Sequence, residues 1–448
     1  MDGFKPVIGL EIHVELKTET GMFCQCKVGQ FGAEPNTHVC PVCLGLPGAL
    51  PVPNKKAIEW TIKIGKALNC RINLHTKFDR KHYSYPDLPK GYQISQYDEP
   101  IAVGGQVILN GKTFRIHRVH LEEDTGKLIH LGEDTLVDFN RSGTPLVEIV
   151  TEPDFDNSDD VKKFLEELHT IIRCLDVSDA DMDKGSMRME PNISLRIMNH
   201  ESRIKNKEIK LPKYKVEVKN INSFKFVKQA IDYELERQKE ILERGETPVQ
   251  ETRGFDEKKA ITYSQRSKEE AHDYRYFPEP DIPPLTFSNE YIDSITVPEL
   301  PGQRMKRFVE TMHLKEQDAF ILTREKQNAD YFETVISKLK SSHSNLNLKT
   351  QNLEQLIANF IINKKISIDL PIDEFIKKTI ELQTPKETDE NALRSAIDNV
   401  IKNNQKVADQ YRQGKTNALM FLVGQVMKEM KGKAEAKVVI SRLTEILK

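Results

Sequence analysis

VILNGKTFRIHRVHL, residues 107–121, decides the fold class. Two alternating runs meet at Asn110-Gly111, the dipeptide that supplies two positive-φ residues for a type I′ hairpin. Working outward, helical patterns fall at about 55–69, 158–175 and 224–243. Hairpins interrupted by helices favour an antiparallel α+β domain over a parallel doubly wound sheet. After about Glu299 the texture becomes almost wholly helical and richer in Lys, Asn and Gln, which places a boundary near 288–300. PKETDENALRSAIDN turns from loop-like to helical and places another near 384, while the Ser/Asn-rich SSHSNLNLKTQN at 341–352 reads as a loop. The expected division is therefore 1–292, 293–384 and 385–448.

A chain of 448 residues exceeds what one core usually serves. Its opening, MDGFKPVIGLEIHVELKT, has no charged segment followed by an apolar one, and nowhere do eighteen apolar residues run together. The expectation is a cytoplasmic protein without a membrane segment. Sixty-six basic against 68 acidic residues give no global attraction to nucleic acid, so any polyanion site must be local. Such a patch occurs at the end: from Tyr411 to Lys448 eight Lys or Arg face three Glu, among helically spaced apolar residues. That bias reads either as a solvated helix face or as a surface for a phosphate backbone.

Four of the six cysteines stand close together as Cys24, Cys26, Cys40 and Cys43, a C-x-C and a C-x-x-C flanking a Gly/Pro/Asn-containing loop. In a reducing compartment such a cluster is a metal site rather than a disulfide framework, and two close thiolate pairs with a flexible return suit tetrahedral Zn²⁺. Four sulfur ligands leave no position for water, so the site would be structural. Cys70 and Cys174 read as structural, Cys174 as a small semi-buried hydrophobe on a helix.

Two further stretches carry carboxylates. VIGLEIHVEL, residues 7–16, alternates strictly, with Gly9, Glu11, His13 and Glu15 on one face and Ile8, Leu10, Ile12, Val14 and Leu16 on the other. Neighbours two apart on a strand lie roughly 6.6 Å apart and can reach one ion between them. Carboxylate with imidazole suits Mg²⁺ or Mn²⁺ bound to phosphate oxygens, although a solvated strand face has the same pattern. RIHRVHLEEDTGKLIH then places Glu122, Glu123 and Asp124 among His117, His120, Lys127 and His130. Glu190, Asn192, Glu217, Lys219, Asn220 and Asn222 add donors and acceptors in later strand-like runs.

In GQVILNGKT five residues rather than four separate the glycines, inside a hairpin, so it makes a poor Walker A loop. No G-x-S-x-G elbow or Cys/His nucleophile pattern occurs, so no covalent nucleophile is expected. YSYPDLPKGYQISQYDEP and SKEEAHDYRYFPEPDIPPL are Pro-stiffened aromatic loops, suited to core packing, to lining a passage or to meeting a partner.

Read in order, VIGLEIHVEL, YPDLPKGYQISQYD, HLEEDTGKLIH, NRSGTPLVEIVTEPD, SKEEAHDYRYFPEPD and GKTNALMFLVGQVMK make the chain resemble the B subunits of the tRNA-dependent amidotransferases, from residue 7 to the C-terminus. The resemblance implies a heterotrimer that converts Glu-tRNA(Gln) to Gln-tRNA(Gln), or Asp-tRNA(Asn) to Asn-tRNA(Asn). An amidase-type A subunit would release ammonia from glutamine, a small C subunit would brace the others, and a non-discriminating synthetase would supply the tRNA. It implies an antiparallel-sheet cradle related to glutamine synthetase (1–292), a helical domain (293–384) and a YqeY-like helical tail that touches tRNA (385–448). It assigns Glu11, His13 and Glu123 to a Mg²⁺/ATP site, with Glu122 next to them and Glu190 and Lys219 in the same pocket. Lys81, Tyr85 and Lys90 take positions along the ammonia route, and the cysteines match the zinc-bearing members. The chain departs from the usual Cys-Asp-Ala at Met189-Glu190-Pro191. A zinc-stabilised tRNA scaffold and a stand-alone glutamine-synthetase-like ligase are the competing readings, and convergence of the acidic strand faces separates the first of them from an ATP-using enzyme.

Overall fold

The computed structural model describes residues 3–29, 31–198, 211–267, 274–342, 352–383, 390–430 and 434–447. Residues 343–351 of the expected Ser/Asn loop, 268–273 of the second aromatic loop, the boundary near 384, and Lys431, Lys433 and Lys448 of the basic tail lie outside them. The chain divides into two compact units, Met1–Arg304 with Arg324–Lys326, and Met305–Thr323 with Gln327–Lys448.

The strands of the first unit are β1 (Phe4–Glu15), β2 (Arg71–Ile72), β3 (His75–Thr76), β4 (Asp79–His82), β5 (Tyr92–Ser95), β6 (Ala102–Leu109), β7 (Lys112–Glu123) and β8 (Lys127–Leu131). They continue as β9 (Asp134–Asp138), β10 (Pro145–Thr151), β11 (Met187–Ile197), β12 (Val216–Lys219), β13 (Glu251–Asp256), β14 (Ile261–Ser267), β15 (Arg275–Pro278) and β16 (Leu285–Thr286). Nine of them form one sheet in the order β14-β13-β12-β11-β1-β10-β7-β6-β2. Asn110 and Gly111 turn β6 into β7 with φ of 50° and 76°, as the opening stretch predicts. The sheet is nevertheless mixed rather than antiparallel throughout, because β12 and β13 run parallel. The chain between them forms α3, Phe224–Glu243, and a helical crossover is what brings a following strand back in the same direction.

Three helices cover one face of this sheet: α1 (Lys55–Ala67), α2 (Ser158–Leu175) and α3. Asn54 caps the first by accepting from Lys56 N and Ala57 N, and Asn157 caps the second by accepting from Asp160 N. Ile8, Leu10, Ile12 and Val14 of β1 enter the same buried cluster as Ile62 of α1, Phe164 and Leu168 of α2, and Ile231 of α3. Each such side chain stabilises the fold by roughly 1.5–3 kcal/mol, so Ile12→Asp would break both the core and the strand that carries the site. Because β1 alternates, securing its even-numbered residues against the helices turns Glu11, His13 and Glu15 to the other face.

A register shift in β7 re-aims its side chains. Val150 pairs with Arg118 but Thr151 pairs with Ile116, so His117 is an extra residue between them. Phe114 and Ile116 before the shift, and Val119 and Leu121 after it, are all buried in the helix-side cluster. Arg118, His120 and Glu122 consequently share the open face with Glu11 and His13, and alternation sends Glu123 to the opposite side.

The first unit also contains α4 (Asn289–Ser294). Helices α5 (Pro301–Met312), α6 (Glu316–Arg324), α7 (Lys326–Ser342), α8 (Leu353–Ile362) and α9 (Ile372–Gln383) follow. In the second unit Phe308, Phe332, Ile357 and Phe375 centre one buried cluster. A separate one, with Leu393, Val400, Leu422, Val426, Val439 and Leu443, is made by α10 (Glu390–Asn403), α11 (Gln405–Arg412), α12 (Asn417–Glu429) and α13 (Ala436–Leu447). Among the described residues, no helix is long and apolar enough to cross a membrane.

Candidate active site

On the open face, register sets the neighbours. His13 stands opposite Glu148 of β10, Glu148 opposite His120 of β7, Glu11 opposite Glu190 of β11, and Asn192 opposite Glu217 of β12. Two ligand sets result, His13 with Glu122 and Glu148, and Glu11 with Glu190 and Glu217; within each, the donor atoms lie within 4.8 Å of one another. They share β1, which contributes one residue to each.

The first set is buried. His13 Nε2 is 3.6 Å from Glu148 Oε2 and 3.8 Å from Glu122 Oε1, and His120 Nε2 is 3.2 Å from Glu148 Oε2. Ser95 donates to Glu122 at 3.0 Å. Burial would raise the Glu148 carboxyl, yet His120 and His13 hold it well below the usual range. Burial opposes charge on His13, but Glu148 above all carries it up to about 9. These groups therefore exchange charge for charge, and a divalent cation can take the place of the imidazole protons. His13 Nδ1 and His120 Nδ1 are buried without a hydrogen-bond partner. Carboxylate oxygens with imidazole nitrogens are a donor set for Mg²⁺ or Mn²⁺.

The second set is partly open and framed by cations. Lys219 lies 3.0 Å from Glu190 and 3.6 Å from Glu217, Lys215 lies 3.8 Å from Glu11, and Asn192 donates to Glu11 at 2.9 Å. Burial raises the Glu11 carboxyl, helped by Glu148 and Glu217; at Glu190 burial is outweighed by Lys219, so that carboxyl is lowered. Beside Glu11 opens a cavity of about 350 Å³, lined among others by Asn192, Lys213, Tyr214 and Lys215.

Glu123 joins neither set. On the far side of β7 its Oε1 accepts from Lys90 Nζ at 2.5 Å and from Ile94 N at 3.0 Å. Asp124 turns elsewhere again: Arg188 meets it at 2.8 Å, and burial with this neighbour pushes the Glu15 carboxyl up to about 8. The expected trio of Glu11, His13 and Glu123 is thus divided, and Glu148, His120 and Glu217 complete what Glu123 does not.

The two aromatic loops come together in a small sheet, β15-β4-β5, where Tyr276 pairs with Lys81. Tyr276 stacks on Tyr97 with ring centres 4.2 Å apart, and Lys81 Nζ is 4.7 Å from the centre of Tyr274. Burial would lower the Lys81 ammonium, but Glu122, Tyr276 and Glu148 raise it above its ordinary value. Tyr85 is 52% exposed.

The four clip thiols converge, with Cys43 Sγ 3.3 Å from Cys24, 3.5 Å from Cys40 and 3.5 Å from Cys26. Sulfurs bound to one tetrahedral zinc at about 2.3 Å stand about 3.8 Å apart, so a small expansion accommodates the ion. Backbone bonds hold both knuckles, from Gly21 N to Cys26 O and from Leu44 N to Cys40 O.

The nine-stranded sheet thus has one face under helices and the other lined by two groups of acid and imidazole side chains that could each hold a metal ion. Residues 6–293 match the family described as the GatB/GatE catalytic domain, and residues 326–447 match the GatB domain. The B subunit of the aspartyl/glutamyl-tRNA(Asn/Gln) amidotransferase of Persephonella marina is 46% identical, over 99% of this chain and all of the relative. Those of Thermosipho melanesiensis and Carboxydothermus hydrogenoformans are 44% and 43% identical, over 97% and 100% of this chain and 97% and 99% of the relatives. The chain belongs to the family of tRNA-dependent amidotransferase B subunits, which are components of a carbon–nitrogen ligase.

Proposed function

We propose that this chain activates the side-chain carboxylate of Glu-tRNA(Gln), Asp-tRNA(Asn) or both with ATP, and amidates it with ammonia made by a glutaminase A subunit, in a cytoplasmic heterotrimer with a small C subunit. The observation that carries this reading is the pair of ligand sets joined by β1. A scaffold that only recruits tRNA has no use for six convergent acid and imidazole groups, and a stand-alone ligase has no use for separate recruitment of ammonia and tRNA. The cradle (1–292), with its glutamine-synthetase relationship, would perform the chemistry, the helical domain (293–384) would connect, and the tail (385–448) would meet tRNA.

A free carboxylate does not accept ammonia, because oxide would have to leave. Its oxygen therefore attacks the γ-phosphorus of ATP, the bridging P–O bond breaks with its electrons going to ADP, and an acyl phosphate remains. Ammonia then attacks the acyl carbon, phosphate leaves with the C–O electron pair, and one proton is shed. This chemistry is positioning and charge neutralisation, with no protein nucleophile. His13, Glu122 and Glu148, or Glu11, Glu190 and Glu217, would hold Mg²⁺, which when bound would neutralise charge on the phosphoryl oxygens. Lys219 holds Glu190 and Glu217 in place. Lys81, Tyr85 and Lys90 line the ammonia route. Cys24, Cys26, Cys40 and Cys43 would hold Zn²⁺, which would keep the adjoining loop in shape.

Reconstitution with A and C subunits tests the reading. Both mischarged tRNAs are assayed with and without ATP, and the tRNAs come from a non-discriminating synthetase. Amide formation on at least one, strictly dependent on ATP, is expected; amide formation without nucleotide would sink it.

A further inference from the structure

Among the described residues, Arg118 is a cation without an anion. It shares the open face of β7 with His120 and Glu122, and its in-register neighbours are Val103 and Val150. It makes no ion pair with a described carboxylate; Nη1 reaches only the Tyr97 carbonyl, at 3.4 Å, and Nε is buried with no partner. Four other cations around the site are engaged, Lys219 with Glu190, Lys215 with Glu11, Arg188 with Asp124 and Lys90 with Glu123, while Lys81 lies over the Tyr274 ring.

Its position relates it to the first ligand set. On β7 it stands two residues before His120 and four before Glu122 on the same face, and its neighbour Val150 on β10 is two residues from Glu148. Leaving guanidinium N–H groups half-desolvated and unmatched is costly, and a ligand that arrives with its own oxygens removes the cost. The planar fork of arginine fits two phosphoryl oxygens at once, which a lysine ammonium does not.

We propose that Arg118 receives the transferring phosphoryl group, first as the γ-phosphoryl of ATP and then on the acyl phosphate. This rests on the ATP-dependent reading above. The guanidinium stays protonated throughout; it accompanies the phosphorus while the bond to ADP breaks and the bond to the substrate carboxylate forms. A backbone phosphate near the tRNA 3′ end offers the same oxygens, and the test separates the two sources.

Arg118→Gln and Arg118→Lys are compared with the parent in the reconstituted complex. Calorimetry with a non-hydrolysable Mg·ATP analogue should show binding weakened about 10–100-fold in R118Q and less in R118K. Turnover to ADP should fall about 10²–10³-fold in R118Q, the range for losing one preorganised donor to a developing charge. Mn²⁺ affinity should not move. The melting temperature of R118Q should equal or exceed the parent's, since the lost charge had no partner; a merely structural arginine would lower it and leave nucleotide binding unchanged, which overturns the proposal. Unaltered nucleotide affinity with a tRNA salt slope shallower by about 0.7–0.9 would assign the arginine to tRNA instead and overturn it too. A parent complex forming no ADP with either tRNA removes the ATP reading itself, whereas ADP formation by the parent and R118Q alike removes only the role of Arg118.

Discussion

Gly45 of the cysteine clip lies so close to Lys90 that a Cβ on the glycine would stand 2.4 Å from Lys90 Cγ and 3.1 Å from its Cα. Gly45 also has φ of 64°, where other residues are strained. Lys90 in turn grips Glu123 at 2.5 Å. The clip is thus the wall against which the Lys90–Glu123 pair is set, and this connects a cysteine knuckle to the proposed ammonia route.

Gly45→Ala should therefore displace Lys90 before it harms the clip. Strain and overlap together should lower stability by about 1–3 kcal/mol, read as a fall in melting temperature. Zinc content should stay at one per chain while glutamine-dependent amidation drops more than ATP-dependent ADP formation. Equal loss of both activities, or loss of zinc, would count against a wall that acts through Lys90.

Metal removal has a thiol readout. Cys70 is packed against Gly105, and burial pushes its thiol up to about 12, while Cys174 is buried. Neither should react quickly at pH 8, because the thiolate is the reactive form. Protein purified without chelator should show almost no fast thiols; chelation should release one Zn²⁺ and expose about four. Fast thiols in zinc-free, untreated protein would remove the metal from the clip.

The division of the carboxylates makes a sharper forecast. Glu148→Gln or Glu122→Gln should weaken Mn²⁺ binding at least 10-fold, measured by paramagnetic resonance, because each removes a ligand from the buried set. Glu123→Gln should leave Mn²⁺ affinity within about 3-fold, since its carboxylate faces Lys90. The opposite ranking would show that the strand rearranges to bring Glu123 to the ion.

Why Glu11, His13 and Glu122 were legible while Glu148 was not follows from what one strand reveals. The face of β1 could be read because alternation alone fixes it, and the helices at 158–175 and 224–243 coincide with Ser158–Leu175 and Phe224–Glu243. The extra residue His117 was hidden in RIHRVHL, where Ile116 and Val119 stand three apart instead of two; counting through it without the shift loses which acid faces the site. Glu148 did leave a trace. In PLVEIVT six of seven residues are buried, and a charge in so apolar a strand requires a partner. That His13 and His120 are those partners depends on strand order, which no local pattern carries. The parallel β12–β13 pair escaped for the same reason.

The basic tail gives the last forecast. Its apolar residues, from Leu393 to Leu447, close on themselves in one cluster, so deletion from about residue 390 removes a complete core rather than half of one. Arg412 and Arg442 are already paired, with Asp409 and with Glu390 and Glu445. Lys415, Lys428 and Lys437 remain among the described cations of this segment. Each phosphate contact releases counterions and adds about 0.7–0.9 to the slope of log affinity against log salt, so losing three should make it shallower by about 2–3. The truncated chain should retain zinc and association with the A subunit, bind mischarged tRNA more weakly at low salt, and amidate it with a raised KM. Equal affinity and equal salt slope for truncated and full-length complexes would make the tail a packing element and move the polyanion surface to the cradle.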